Sequence, residues 1–180
     1  MSNDRRAADI AAAIRSVPGF PKAGIVFRDI TTLLKDPRRF ADAVDGLLAP
    51  FCDVGVDKVA SVEARGFIFG AALALRLNAG FVPIRKPGKL PAEVIRRDYA
   101  LEYGSDAVEV HRDAVSPGDR ILVHDDLLAT GGTIQAACSL IEDLGGTIVG
   151  ISFLVELPSL HGRERLSRYP VHSLVQFSGE

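Results

Sequence analysis

Asp125 and Asp126 stand side by side at the end of the run Ile121-Leu122-Val123-His124, and after two leucines comes Ala129-Thr130-Gly131-Gly132-Thr133. Paired carboxylates at a strand end have four ordinary uses: ligands for a metal, a phosphoacceptor pair, clamps on a sugar, or the cap of a helix. The glycines narrow the choice. They let backbone approach a ligand closely, and the free N–H groups at the start of a following helix attract an anion. Thr130 and Thr133 add hydroxyl donors, so the loop reads either as a phosphate cradle or as a plain threonine-capped helix start. No Gly-x-x-x-x-Gly-Lys-Ser/Thr loop and no Gly-x-Gly-x-x-Gly fingerprint occurs in the chain. Two carboxylates beside a cradle repel the phosphate itself but accept hydrogen bonds from neighbouring hydroxyls. The pattern asks for a ligand with a phosphate next to a vicinal diol, such as a ribose 5-phosphate. The competing reading is a solvated acidic turn.

Other residues with chemical potential lie in short clusters. Glu63-Ala64-Arg65-Gly66 follows the apolar run Lys58–Val62, and Arg85, Lys86 and Lys89 fall within five residues after another. Such cations usually mark a solvated loop, but beside a phosphate site they can neutralise a leaving group where charge builds. Arg85 and Lys89 are the better candidates. His111, His124, His161 and His172 are scattered, and Cys52 and Cys138 lie far apart, so neither a metal spacing nor a disulfide framework appears. The thiols point to a reducing, cytoplasmic setting. A formal net charge of -2 gives no electrostatic case for nucleic acid or an anionic membrane as partner. No window reaches the ~18 apolar residues of a membrane span.

These clusters need elements to position them. The 180 residues, 47% hydrophobic, suit one α/β domain with a real core. The alanine-rich start, with Ile10, Ile14 and Val17 at helical spacing, predicts a helix stopped by Pro18-Gly19. Asp36-Pro37 marks a helix start that should run to about Phe51. Strands are expected over "KVASVE", "FVPIRK", "RILVHD", "TIVGISFLVEL" and "VHSLVQF", with helices over "GFIFGAALALRL", "TIQAACSLIEDL" and "HGRERLSR". The second of these helical segments ends at Gly145-Gly146. Strands alternating with helices imply a parallel sheet covered on both faces. Ligands of such a sheet bind beyond the carboxyl ends of the strands, where "EARG", "RKPGK" and "DDLLATGGT" all sit. Between about 87 and 113 the chain leaves this pattern. It reads as a hairpin lid with extended pieces at "YALEY" and "AVEVH", the second with one wet face.

The stretch "ILVHDDLLATGGT" resembles the phosphoribosyl pyrophosphate (PRPP) motif of type I phosphoribosyltransferases. "GIVFRDI", "EARGFIFG", "IRKPGKLP" and "LEYG" are similar, in order, to the adenine phosphoribosyltransferases, and the resemblance runs from about Phe20 to near the C-terminus. It implies the type I phosphoribosyltransferase fold: a mostly parallel central sheet flanked by helices, an N-terminal hood over about 1–35 and a long flexible hairpin lid. It also implies transfer of phosphoribose from PRPP to adenine with release of pyrophosphate, giving AMP in purine salvage. On the same basis Asp125 and Asp126 hold the ribose hydroxyls, and Ala129, Thr130, Gly131, Gly132 and Thr133 wrap the 5-phosphate. Glu63, Ala64 and Arg65 form a pyrophosphate loop with a cis peptide at Glu63-Ala64, helped by Arg85 and Lys89. Glu102 serves as acid–base group near adenine N7, Tyr103 closes over PRPP, and Val26, Phe27, Arg28 and Leu128 line the base pocket. Mg²⁺ arrives on substrate oxygens and water, with no direct protein ligand, and the chain forms a homodimer. The alternatives are an enzyme for hypoxanthine, guanine or xanthine, and a non-catalytic PRPP sensor. His124 departs from the family's apolar residue there and is read as facing the core.

Overall fold

The computed structural model describes residues 3–100 and 104–178. Helix α1 (Asn3–Ala13) leads to strands β1 (Arg15–Pro18) and β2 (Val26–Asp29), then helices α2 (Thr31–Leu34) and α3 (Pro37–Leu48). Next come β3 (Lys58–Val62), α4 (Gly66–Leu77), β4 (Gly80–Ile84), β5 (Val94–Ala100) and β6 (Ser105–His111). The chain finishes with β7 (Arg120–Leu128), α5 (Gly132–Asp143), β8 (Thr147–Glu156), α6 (Gly162–Arg165) and β9 (Val171–Gln176). Among the described residues no helix is long and apolar enough to cross a membrane.

The central sheet has the order β4-β3-β7-β8-β9, and every pairing in it is parallel. Its strands are near-continuous apolar runs because both faces are covered. Side chains alternate between two cores. Ala60, Val62 and Val123 pack with Ile134, Leu140 and Ile141 of α5. Val59 and Leu122 pack on the other face with Leu47, Phe69, Leu73 and Ile10. The first sheet strand in the chain, β3, has its successor β4 on one side and β7 on the other. The strand order therefore reverses between β3 and β7, and the crevice beyond their carboxyl ends is where such sheets take ligands.

The hood departs from its predicted form. The helix ends at Ala13 rather than near Val17, because from Arg15 onward the chain pairs antiparallel with β2. Thr32 Oγ1 donates to the Ala13 carbonyl at 2.6 Å, which satisfies one of the helix-end acceptors. Asp29 accepts from Arg15 Nη2 at 2.5 Å and from the Thr31 N–H at 2.9 Å, and the Arg15 and Thr31 bonds hold its carboxyl down to about 2. By contrast α3 starts where expected: Asp36 Oδ1 accepts from the N–H groups of Arg38 and Arg39, with Pro37 in the first turn.

Strands β5 and β6 form an antiparallel hairpin in register from Val94↔His111 to Ala100↔Ser105. Arg85 and Glu109 exchange backbone bonds of 2.9 and 2.7 Å, which docks the hairpin on the chain leaving β4. The wet face expected of "AVEVH" is not wet. Ala107, Val108 and Val110 are buried, and so is Glu109, because the 85–89 loop crosses that face and the Gly88 N–H donates to Glu109 Oε2 at 3.0 Å. The helix expected over "HGRERLSR" is one turn, Gly162–Arg165.

Candidate active site

The loops after β3, β4 and β7 meet at the switch point. Asp126, its side chain 7% exposed, receives Arg65 Nε at 2.7 Å on Oδ2. Asp125 Oδ1 accepts the Asp126 N–H at 2.9 Å and tucks against the start of α4. A β-carbon on Gly66 would come 2.8 Å from that oxygen and 2.9 Å from Ser61 Oγ, so only glycine leaves room for the acid. Ser61 Oγ in turn donates to the His124 carbonyl at 2.9 Å, tying β3 to β7 just below the pair. Burial pushes both carboxyls above the usual aspartate range; the Asp126 charge adds to the rise at Asp125, and Arg65 opposes it at Asp126. Two such carboxylates at one strand end are acceptors for a diol and neighbours for developing positive charge.

The Glu63–Ala64 peptide is cis. Glu63 itself turns to the β4 loop: its Oε2 receives Arg85 Nε at 2.9 Å and Nη2 at 2.8 Å, and its Oε1 receives the Lys86 N–H at 2.7 Å. Burial raises this carboxyl, but those donors outweigh it and hold Glu63 below the ordinary glutamate range. Arg85 also donates to the Lys89 carbonyl at 3.1 Å. Lys86, given less weight in sequence, bonds Tyr99 Oη at 2.8 Å and pairs with Asp106, which fastens the loop to the hairpin. Lys89 is exposed, and its ammonium makes no ion pair among the described residues.

The glycine loop leads straight into α5. Gly131, at φ 81°, precedes the first turn, and no side chain caps it. The alternative of a threonine-capped helix start therefore does not hold, and the first N–H groups of α5 are left without a side-chain acceptor. Thr130 is exposed and Thr133 half-buried. The end of the hairpin lies alongside: a β-carbon on Gly132 would sit 3.6 Å from the Ala100 carbonyl oxygen. Glu102 and Tyr103 fall outside the described residues.

On the hood side, Val26, Phe27 and Arg28 are half-buried. Among the described strands β2 pairs only with β1, so its other edge can present backbone donors and acceptors. The Arg65 guanidinium carbon lies 5.0 Å from the Phe27 ring centre, and Phe20 packs edge-on to that ring at 5.2 Å. Arg28 Nη1 donates to Ser16 Oγ at 2.5 Å and stacks over Phe177 at 4.2 Å. Leu128 is not brought to this pocket. It is buried in the core beneath α5, whereas Leu127, on the opposite face of β7, packs on the hood side. The alternation of a strand that continues to Leu128 explains the difference.

His124 faces the core. Its Nδ1 meets Ser152 Oγ at 2.8 Å, its ring tilts toward Phe69, and burial lowers it to about 3. Sequence reasoning did not single out Ser61, Gly66 as the seat of Asp125, Tyr99 or Leu127. The glycine directly after Arg65 was visible, but nothing in its neighbours announced a contact with a strand sixty residues on. Among the described residues no group of three or more His, Cys, Asp or Glu side chains is placed to hold a metal ion.

A switch-point crevice with an uncapped helix start, a buried acid pair and a fringe of cations defines a phosphoribosyl-transferring class of protein. The family model described as phosphoribosyl transferase domain matches residues 31–177. A curated adenine phosphoribosyltransferase from Dinoroseobacter shibae is 57% identical over 169 residues, 93% of this chain and 94% of that protein. One from Rhizobium leguminosarum is 54% identical over 173 residues, 95% and 96% of the two chains. The solved adenine phosphoribosyltransferase from Rhodothermus marinus superposes with a TM-score of 0.93 at 48% identity, covering 97% of this chain and 99% of that one. The Saccharomyces cerevisiae enzyme, solved with an imino-altritol bisphosphate and adenine, gives 0.90 at 38% identity over 95% and 99%. The chain belongs to the adenine phosphoribosyltransferase family.

Proposed function

We propose that this chain joins adenine to the phosphoribosyl group of PRPP. Adenine N9 bonds to ribose C1 and gives up its proton to solvent, the C1–oxygen bond to pyrophosphate breaks with its electron pair leaving on pyrophosphate, and AMP results, a purine-salvage step. The observation that carries the reading is the convergence of the acid pair, the uncapped start of α5 and the open edge of β2 at one switch point. Asp125 and Asp126 take the ribose hydroxyls and face the positive charge that develops at C1. The 129–133 loop binds the 5-phosphate. Arg65, Arg85 and Lys89 receive the departing pyrophosphate. Arg65 leaves Asp126 when the ribose arrives, and Glu63 keeps Arg85 in place. Glu102 is the acid–base group at N7, and Tyr103 closes over PRPP to exclude water.

The donor set suits Mg²⁺ carried on pyrophosphate and ribose oxygens with water, since two adjacent carboxylates, one already engaged by Arg65, are too few for a protein cage. When bound, the ion neutralises pyrophosphate charge. Backbone groups of Val26 and Arg28 read the base edge, with Phe27 and Leu127 as apolar walls. Residues 1–35 act as the hood and 87–113 as the lid of a single domain. We place the protein in the cytoplasm, where both cysteines stay free.

A panel of purines with PRPP and Mg²⁺, following pyrophosphate release, tests the reading. Adenine turns over, and hypoxanthine has a kcat/KM at least ~100-fold lower, because a 6-oxo group leaves backbone donors and acceptors unpaired. Comparable values for the two bases would refute the pocket, and no turnover of any purine would favour the sensor.

A further inference from the structure

The phosphate cradle has a second wall. Helix α6 starts at Gly162, and the backbone there lies directly on the 129–131 loop. A β-carbon on Gly131 would come 2.6 Å from the Gly162 carbonyl oxygen. One on Gly162 would run into the Ala129 carbonyl oxygen and reach 2.9 Å from Leu128 Cδ1. Backbone meets backbone, so neither side can yield by rotating a side chain. His161, just before, is in the left-handed region at φ 54°, as is Gly131 at 81°. The curvature of the cradle therefore depends on where the 161–163 turn sits.

An ion pair holds that turn. Arg163 Nε donates to Glu156 Oε1 at 2.9 Å and Nη2 to Oε2 at 2.5 Å, a fork on a carboxylate that is 4% exposed. Arg163 also donates to the Val171 carbonyl at 2.9 Å and to Ser173 Oγ at 3.2 Å, and Gln176 Nε2 donates to Glu156 Oε2 at 3.2 Å. The Arg163 bonds hold Glu156 below the usual glutamate range against its burial. Leu166 anchors the end of the turn in the core, and the turn borders an open cavity of about 510 Å³ that Leu166, Glu156 and Arg163 line together with Pro158, His161 and Tyr169. Beside that open space the fork adds a polar restraint to the Leu166 anchor.

We infer that Glu156 and Arg163 are positioning residues for the 5-phosphate loop: the fork fixes the Gly162 backbone, and Gly162 fixes the shape of residues 129–131. The inference rests on the reading of 129–133 as the 5-phosphate cradle. Without the fork the turn retreats toward the cavity and the cradle relaxes, while the acid pair and the hood keep their own contacts.

Steady-state kinetics on Arg163→Met, Glu156→Gln and the double variant, with each substrate varied, test this beside calorimetric binding of ribose 5-phosphate and a thermal melt. KM for PRPP and Kd for ribose 5-phosphate rise roughly tenfold, the scale of a lost charged hydrogen bond. The values of kcat and adenine KM stay within about twofold, because the phosphate is held alike in ground and transition states. The double variant is no worse than the worse single one, as members of one pair require. Arg163→Lys, which keeps the charge but not the fork, falls between and serves if Arg163→Met does not fold. Gly162→Ala, which strikes the loop without touching the pair, gives the same split. Folded variants with unchanged PRPP KM overturn the inference, as does a parallel loss for both substrates. A wild type that binds ribose 5-phosphate but makes no AMP refutes the adenine reading alone; a wild type that makes AMP beside unaffected variants refutes this one alone.

Discussion

At the scale of single residues, the sequence announces chemistry best where neighbours along the chain share a ligand. Asp125, Asp126 and the 129–133 loop are contiguous, so their placement together between the end of β7 and the start of α5 was legible. Leu128 was not, because which of two adjacent leucines faces the hood depends on how far β7 continues before it turns. His124 sits between these cases: its buried ring meets Ser152 on the flanking strand, which no local pattern links to it. That burial has a consequence for stability. The folded imidazole titrates near about 3, below its ordinary 6.5, so its contribution is full above pH 6.5 and is lost as pH falls toward the folded value. Between pH 7 and pH 5 the loss is roughly 2 kcal/mol. His124→Leu lowers stability at pH 7 by about 1–3 kcal/mol, since Ser152 Oγ loses its partner, yet flattens the fall to pH 5 by that same 2 kcal/mol. Urea unfolding of both proteins at the two pH values measures it, and an unchanged slope would mean that His124 titrates freely in the native state.

At the scale of elements, the sheet strands and α4 and α5 follow their periodicity and α3 its Asp36 cap, while the hood and hairpin do not. Alanine-rich sequence continues the helical pattern past Ala13, but pairing with β2 gains a ladder of hydrogen bonds and wins. The face of β6 expected to be wet is covered by a loop whose approach is set by long-range contacts, Glu63 to Arg85 across 22 residues and Lys86 to Asp106 across 20. Lys86 is the residue on which this scale turns, since it joins the loop after β4 to the hairpin through Tyr99 and Asp106. Lys86→Met leaves the sheet intact but loosens the hairpin, and a partly exposed pair of this kind is worth up to about 1 kcal/mol. On the proposed reading of the hairpin as a lid over PRPP, hydrolysis of PRPP in the absence of adenine then rises roughly fivefold relative to AMP formation, because a looser lid admits water. Parallel assays of ribose 5-phosphate and AMP give the ratio. A ratio equal to wild type would show that the hairpin closes without that anchor.

At the scale of the whole molecule, alternating strands and helices predicted a parallel sheet and put three loops on one edge. They did not supply the order β4-β3-β7-β8-β9, which is decided by which strands pair and not by any strand's own pattern. Helix α4 carries a further message at this scale, because it is apolar nearly all round. One side, with Phe69, Leu73 and Ala74, faces the sheet. On the other, Ile68 and Leu75 are 39% and 83% exposed, seven residues apart and so on one face, with Phe81 of the edge strand 37% exposed. A helix that is apolar nearly all round is ordinarily covered on both sides, and we propose a second copy of the chain as the cover. Leu75 makes the test clean: its exposure in the single chain means that Leu75→Glu costs the fold under about 0.5 kcal/mol, whereas a carboxylate buried without a partner at an interface costs several kcal/mol. Light scattering on wild type gives twice the chain mass of 19.3 kDa, and Leu75→Glu gives the single chain with its secondary structure intact. Turnover falls with it, because α4 begins at Gly66, directly behind the Arg65 loop and the seat of Asp125. A wild type that stays at 19.3 kDa at every concentration, or a glutamate variant that remains paired, removes this face as the interface.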